Sequence, residues 1–305
     1  IFLSLFIFFY FHNSSKNNAN NFFWLSKETA IIVNNWFMMY FLSVVMIGTI
    51  YPIFLDVLSS QKISVGPPFY HKLIIPFLIP FLLIMAIGPK LKWIKSNIEN
   101  KIYLILPLII SIMLSILIVK NFSFKFLINT ILISSALYLF YITLRDFFSK
   151  GFKNLAQNIA HFGFSLLILS ILFNNLFSTE IITNLKVGET FENTKAKIVF
   201  EGVSQKEEKN YKSIVAKFLI EDSKGKLENL SPELRIYNQP NIATSEADIK
   251  TTLLSDKFIV INIVQNQEFF NVRYQVKPFM LWIWISVILI SFGGLVSFIK
   301  KEYEK

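Results

Sequence analysis

The stretch "NLAQNIAHFGFSLLILSIL" (154–172) begins with polar side chains and then becomes apolar over the length of a helix that could cross a bilayer. Together with the residues up to Phe177 it supplies about 20 largely apolar positions, the number that the hydrocarbon core of a membrane requires of an α-helix. The rest of the chain has the same character. Of its 305 residues, 53% are hydrophobic and 16% are charged, and the apolar residues form long runs rather than amphipathic periods. The sequence therefore predicts a membrane protein, with His161 inside one of its spans.

Further apolar segments predict six more spans. They lie at 1–11, 31–55, 73–89, 102–119, 126–144 and 279–298. The first, "IFLSLFIFFYF", is too short to cross a bilayer by itself, so we expect the chain to be a fragment or one part of a split protein. Cysteine is absent, which excludes disulfides, thiolate metal sites and cysteine-dependent redox chemistry in this chain.

Residues 178–277 follow a different pattern, in which β-branched and aromatic runs predict strands. The clearest runs are "KAKIVFEGV" (195–203), "YKSIVAKFLIED" (211–222), "ELRIY" (233–237), "KFIVINIV" (257–264) and "FFNVRYQV" (269–276). The string "EDSKGK" (221–226) predicts a hairpin turn in which Gly225 adopts a positive φ.

The predicted fold is an α-helical polytopic membrane protein of about seven spans, the first one truncated, with a small β-rich extracytoplasmic domain inserted before the last span. Its predicted parts are a six-span membrane helical bundle (1–177), the β-rich domain (178–277), and the final span with a basic cytoplasmic tail (278–305).

The basic side chains are concentrated in alternate loops. Twelve Lys and Arg lie in the loops on one side, at 12–30, 90–101, 145–156 and 299–305. Four lie in the short loops on the other side, at 56–72 and 120–125. The positive-inside rule makes the first group cytoplasmic and puts residues 178–277 outside. Those residues carry 14 basic and 14 acidic side chains, so the β-rich domain is neutral and no nucleic-acid partner is expected.

His161 shares one helical stripe with Gln157, Asn158 and Ser165. Three small residues beside this stripe leave room for a close neighbour: Ala156, Ala160 and Gly163. Spacing alone leaves two interpretations open. One is a histidine hydrogen-bonded within the helix bundle, and the other is a metal or proton site, since ionisable groups inside spans often mark function.

Six strings carry a resemblance to a known family. They are "GTIYPIFLD" (48–56), "KISVGPPFY" (62–70), "IGPKLKW" (87–93), "AHFGFSLLILSIL" (160–172), "TSEADIKTTLLSDKFIVI" (244–261) and "KPFMLWIWISVILISFGG" (277–294). In this order and spacing the chain resembles the C-terminal half of the CcmF family, the haem lyase subunits of the cytochrome c maturation system. The resemblance covers essentially all 305 residues.

The resemblance implies attachment of haem to the CXXCH thiols of apocytochrome c on the outer face of the membrane. It also implies a membrane haem b held by two histidines on different helices, one of them the histidine of the "AHFG" string. On this basis we expect His161 to be an axial ligand of the haem iron. Its neighbours on the helical stripe, Gln157, Asn158 and Ser165, are candidates to accept the hydrogen bond that orients its ring. The small residues nearby would suit a flat macrocycle.

The implied partners are the N-terminal half of the haem lyase, a haem carrier protein, apocytochrome c with its thiol-reducing and chaperone subunits, and quinol as a candidate reductant. The family's tryptophan-rich haem-handling motif, its second haem-b histidine and its two outer-face histidines belong to that N-terminal half. We therefore expect this chain alone to be inactive. The expected location is the bacterial inner (cytoplasmic) membrane, or the mitochondrial inner membrane if the chain is organellar.

Within "SVGPPFY", Gly66, Pro67 and Pro68 cannot continue a helix and predict a rigid turn at the membrane edge. A structural loop is the simpler interpretation, and a place in the floor of a haem or apocytochrome cleft is the functional one. His71 is interpreted as a solvated interfacial side chain rather than a haem contact, and His12 has no functional interpretation.

Other functions compatible with the sequence are the paralogous lyase subunit dedicated to a nitrite reductase haem, a multi-span transporter or quinone-linked subunit, and a scaffold whose β-rich domain only binds partners. No Asp, Glu, Lys or Arg lies deep in any predicted span, which disfavours ion-coupled transport. Aromatic-belt anchoring is a sufficient explanation for Trp282 and Trp284 in the final span.

Overall fold

The computed structural model describes residues 6, 10, 23–59, 63–95, 102–120, 126–150, 154–222, 225–263 and 269–303. The chain forms two compact units, Ile1–Leu139 and Phe140–Lys305. The helices of the described residues are α1 (Lys27–Ser59), α2 (Pro67–Ile87), α3 (Ile102–Val119), α4 (Phe126–Lys150), α5 (Leu155–Phe177) and α6 (Met280–Tyr303). A short 3-10 turn, Gly88–Lys90, follows α2.

Each of these helices is long and apolar enough to cross a membrane. The prediction of a polytopic membrane protein with a β-rich insertion before its last span is confirmed. Several helices extend beyond the predicted apolar runs, because polar residues at a membrane boundary can still complete helical hydrogen bonds. Thus α4 continues to Lys150, whereas hydropathy ended the span at residue 144. The predicted span at 1–11 lies outside the described residues apart from Phe6 and Tyr10, as does His12.

In the first unit, α1 and α2 pack as an antiparallel pair. The Tyr40 hydroxyl donates to the Leu73 carbonyl over 3.1 Å. About one turn nearer the start of α2, a Cβ on Gly48 would lie 2.6 Å from the Tyr70 hydroxyl oxygen, so a larger residue at position 48 would displace this ring.

The predicted rigid turn at Gly66, Pro67 and Pro68 is instead the start of a helix. Gly66 has extended backbone and precedes α2, whose first two residues are the prolines. Proline suits this position because the first N–H groups of a helix have no intrahelical acceptor and the ring presets φ. His71 follows in the next turn of α2 and is exposed.

In the second unit, the described residues form ten strands, which pair antiparallel in two sheets. The strands are β1 (Thr179–Leu185), β2 (Thr190–Glu192), β3 (Ala196–Glu207), β4 (Tyr211–Asp222), β5 (Leu227–Leu230), β6 (Glu233–Tyr237), β7 (Ala243–Glu246), β8 (Asp248–Thr251), β9 (Ser255–Ile263) and β10 (Phe270–Pro278). One sheet has the order β1-β10-β9-β8. The other has the order β2-β3-β4-β6-β7, with β5 also paired to β4.

The core of this β-sandwich comes from alternate residues of the long strands. In β3 the inward residues are Ala196, Ile198 and Phe200, all buried, and Phe200 stacks on Phe218 of β4 with ring centroids 4.5 Å apart. A register shift after Phe200 ends the alternation. The predicted positive φ at Gly225 is confirmed at +76°.

An ionic cluster is also buried in the sandwich. The Lys257 ammonium lies 3.1 Å from a carboxylate oxygen of Asp222 and 3.1 Å from one of Glu228. The second Glu228 oxygen lies 3.0 Å from the Lys226 ammonium. The cluster links β9 of one sheet to β4 and β5 of the other. Its Lys257 and Glu228 side chains are only 11% and 2% exposed, whereas Lys226 lies at the surface.

The sandwich is joined directly to two helices. Helix α5 ends at Phe177 and β1 begins at Thr179, while β10 ends at Pro278 and α6 begins at Met280. The Asn174 side chain donates to the Pro278 carbonyl over 2.6 Å and ties the two connections together. The antiparallel pair α5–α6 therefore continues into the paired strands β1 and β10.

Candidate functional site

His161 is the seventh residue of α5 and is half-buried. At about 100° per residue, the surface of this helix divides into three strips that meet different surroundings. One strip packs on α6, a second packs on the end of α4, and a third is the most exposed. The surroundings of His161 therefore depend on which of these strips it lies in.

The strip that meets α6 holds the small residues. A Cβ added to Gly163 would lie 3.0 Å from the Ile290 backbone nitrogen, and one added to Gly293 would lie 2.8 Å from the Ala160 nitrogen and 2.9 Å from the Ala156 carbonyl oxygen. The expected close neighbour of the small residues is therefore the final helix. The expectation that they border a flat macrocycle is wrong, because backbone already occupies that space.

The strip that meets α4 holds Ser165. Its hydroxyl donates to the Phe162 carbonyl over 2.8 Å and lies 3.0 Å from the Thr143 hydroxyl of α4. The Phe162 ring packs on Phe140 and Phe147, with centroid distances of 5.5 and 6.2 Å. Thr143 could not be predicted from the sequence, because its only signal is a hydroxyl residue within an apolar run and many such hydroxyls bond to their own helix.

The third strip contains the exposed residues Gln157, Ile171 and Asn175. His161 lies at its edge, on the side towards Ser165, and the half-buried Phe164 lies within it. The three residues predicted to orient the ring differ in exposure. Gln157 is exposed, whereas Asn158 is buried at 7% exposure. Ser165 is also buried, and its hydroxyl is bonded to α5 and lies close to α4.

This arrangement fits one axial ligand to a haem. A half-buried imidazole beside an apolar ring can bind iron through one nitrogen while the other nitrogen donates to a neighbour. A complete protein ligand set of another kind is not seen, since the described residues contain no cluster of three or more His, Cys, Asp or Glu able to hold a metal ion.

Comparison with known proteins bears on the whole chain. A family model described as "CcmF C-terminal beta-sandwich" matches residues 176–278, the range that contains the ten strands. The cytochrome c-type biogenesis protein CcmF of Pseudomonas fluorescens is 27% identical over 288 residues, which cover 89% of this chain and 43% of the relative. The chain matches the C-terminal part of CcmF. It spans less than half the length of that relative.

Two further similarities agree. A solved structure titled "Cytochrome c Heme Lyase CcmF" superposes with a TM-score of 0.68 at 21% identity, covering 90% of this chain and 46% of that one. The cytochrome c-type biogenesis protein NrfE of Haemophilus influenzae is 22% identical over 270 residues, which cover 85% of this chain and 42% of the relative. The resemblance to CcmF that the sequence motifs indicated is confirmed, and so is the membrane-plus-sandwich fold.

Proposed function

We propose that this chain is the C-terminal part of a cytochrome c haem lyase, which attaches haem to the CXXCH thiols of apocytochrome c. The observation that carries the proposal is the CcmF match along 89% of the chain. It is supported by the half-buried His161 on α5, the histidine of the "AHFG" string. The chain spans 43% of that relative, and we propose that an N-terminal half is its partner in this activity.

His161 is proposed as one axial ligand of a membrane haem b. When bound, such a haem supplies one-electron redox chemistry, and quinol dissolved in the bilayer is the proposed reductant. The protein's part is to present a neutral imidazole nitrogen and to hold the ring in one orientation. A histidine of the partner half would supply the other ligand to the iron.

Among the three candidates for orienting the ring, Asn158 has the strongest claim. Its amide is buried three residues before His161 on the same side of α5, where water competes least for its carbonyl oxygen. Gln157 is exposed, and the hydroxyl of Ser165 is bonded to the Phe162 carbonyl and lies beside Thr143. We therefore expect replacement of Asn158 to weaken haem binding most, within the roughly 10–100-fold range typical of residues that orient a metal ligand.

Gly66, Pro67 and Pro68 are proposed to border the cleft for haem or apocytochrome. Two prolines at the start of α2 give a segment with fixed φ and few backbone donors, so a bound chain would meet a rigid edge there. The proposed location is the inner membrane, with the β-sandwich on the outer side. The proposed partners are a haem carrier, apocytochrome c and its thiol-reducing subunits.

The proposal is tested by maturation of a c-type cytochrome in cells that lack their own haem lyase and produce this chain with the N-terminal half. His161→Ala is expected to abolish covalent haem attachment, measured by haem staining of denatured apocytochrome. The matched control is His71→Ala, an exposed histidine on α2, which is expected to leave attachment intact. Equal attachment with both variants would contradict the role of His161.

A second candidate function is the NrfE type of haem lyase subunit, favoured by the 22% identity to the Haemophilus influenzae protein. The two functions differ in the apocytochrome that is served. Supplying the same cells in turn with a cytochrome c and with a nitrite reductase apocytochrome distinguishes them, because only the correct substrate would acquire covalent haem.

A further inference from the structure

Two neighbouring leucines are the most exposed large apolar side chains among the described residues of the β-sandwich. Leu253 and Leu254 lie between β8 and β9, and 71% and 68% of their surfaces are accessible. Burying a leucine is favourable and exposing two in one turn is costly, so an exposed pair of this kind marks a contact with something other than water.

Backbone hydrogen bonds fix the turn that carries these leucines. The Thr252 N–H donates to the Ser255 carbonyl over 3.0 Å, and the Thr252 hydroxyl donates to the same carbonyl over 2.7 Å. The turn therefore closes on itself, and the two side chains between its ends cannot fold back into the sandwich core.

The same turn is bonded to the start of the final helix. The indole N–H of Trp282 donates to the Leu253 carbonyl over 2.8 Å, and the Phe279 N–H donates to the Leu254 carbonyl over 2.8 Å. Because Trp282 is the third residue of α6 and each residue rises about 1.5 Å, the turn lies within about one helical turn of the point where the membrane-crossing helix begins.

The geometry points to lipid as the partner of this turn: we propose that Leu253 and Leu254 insert into the interfacial region of the leaflet on the sandwich side. A tryptophan at the end of a span normally lies at that depth, and Trp282 is bonded to the turn. Charged residues close by are of both signs, Lys250 and Asp256, so the contact depends on apolar insertion and not on anionic lipid. Insertion gives the sandwich a second attachment to the bilayer, besides helices α5 and α6.

The absence of cysteine in the chain makes a direct test possible. A single cysteine is introduced as Leu254→Cys, labelled with the fluorophore NBD, and the chain is placed in phosphatidylcholine nanodiscs with and without doxyl-labelled lipid. The matched control is Val187→Cys, which is also an exposed apolar residue, at 51%. It follows the far end of β1, roughly 25 Å along the strand direction from the helix junction.

We expect the label at residue 254 to emit at shorter wavelength than the label at residue 187 and to lose most of its fluorescence in doxyl lipid, with zwitterionic and anionic discs giving the same result. Equal emission and equal resistance to quenching at the two positions would overturn the proposal. So would a label at residue 254 that is shielded from aqueous iodide but not quenched by lipid, since that result means a protein partner covers the turn. Leu253→Cys repeats the test if the first variant is unstable.

Discussion

The tight crossing of α5 and α6 makes a sharp prediction about the two adjacent glycines of the final helix. A Cβ at Gly293 would lie 2.8 Å from the Ala160 backbone nitrogen and 2.9 Å from the Ala160 Cβ, whereas a Cβ at Gly294 meets no atom within 4 Å. Close approach of backbones at small residues is a main source of helix association in membranes. Gly293→Ala should therefore separate the helices, and Gly294→Ala should not.

The expected magnitude follows from two terms. Alanine raises intrinsic helix stability over glycine by about 1 kcal/mol at either position, so this term cancels when the two variants are compared. Inserting a methyl group where backbone must move costs about 1–3 kcal/mol, and this cost applies to Gly293 alone. Gly293→Ala should consequently unfold with a free energy about 1–3 kcal/mol lower than Gly294→Ala.

The assay is equilibrium unfolding of the chain in mixed micelles with increasing dodecyl sulfate, followed by circular dichroism. Both variants are compared with the unsubstituted chain under identical lipid conditions. If the free energies of unfolding of the two variants agree within about 0.5 kcal/mol, the close crossing of α5 and α6 at Gly293 is refuted.

Three further predictions concern the β-sandwich and its junction with α6. Lys257→Met leaves the buried Glu228 carboxylate with the exposed Lys226 as its remaining cation and should cost up to about 3–5 kcal/mol of sandwich stability in thermal unfolding. Lys212→Met, which breaks an exposed ion pair, should cost at most about 1 kcal/mol. Burial opposes ionisation of Glu228, but hydrogen bonds from its two lysine partners outweigh this effect and lower the pKa of its carboxyl below the ordinary 4.5. The stability that results is present above pH 4.5 and should be lost as the pH falls below it. An acid titration of unfolding that shows no such loss would contradict the cluster. Trp282→Phe removes the bond to the β8–β9 turn and should lower stability by about 0.5–1.5 kcal/mol; Trp284→Phe, an exposed ring in the same helix, should change it little.

The long elements could be predicted from the sequence because their signals are local. The strand runs at 211–222 and 233–237 coincide with β4 and β6, and the final span is read directly from hydropathy. Five strands were missed: β1, β2, β5, β7 and β8. They are short or polar, as in "DIKT" (248–251), and they form because neighbouring strands supply hydrogen bonds, which no local propensity records.

The contacts between distant segments could not be predicted for a similar reason. Lys257 has the sequence context of a solvated strand residue, and it is buried only because Asp222 and Glu228 come to it from the other sheet. The small residues of α5 predicted a close neighbour, and the structure shows that this neighbour is the final helix at Gly293. Trp282 was predicted only to anchor the helix in the aromatic belt. Its hydrogen bond to the Leu253 carbonyl could not be predicted, because any residue type can supply a backbone acceptor in a turn.

The role of His161 is tested most directly by the optical and electron paramagnetic resonance spectra of haem in the assembled two-part complex. The unsubstituted complex should show a six-coordinate low-spin haem. His161→Ala should lose this signal, and His161→Cys should retain haem with the altered spectrum of a thiolate ligand, while His71→Ala should leave the signal unchanged. A low-spin spectrum that is unchanged in His161→Ala would contradict the account and would leave His161 as a histidine that only stabilises the helix bundle.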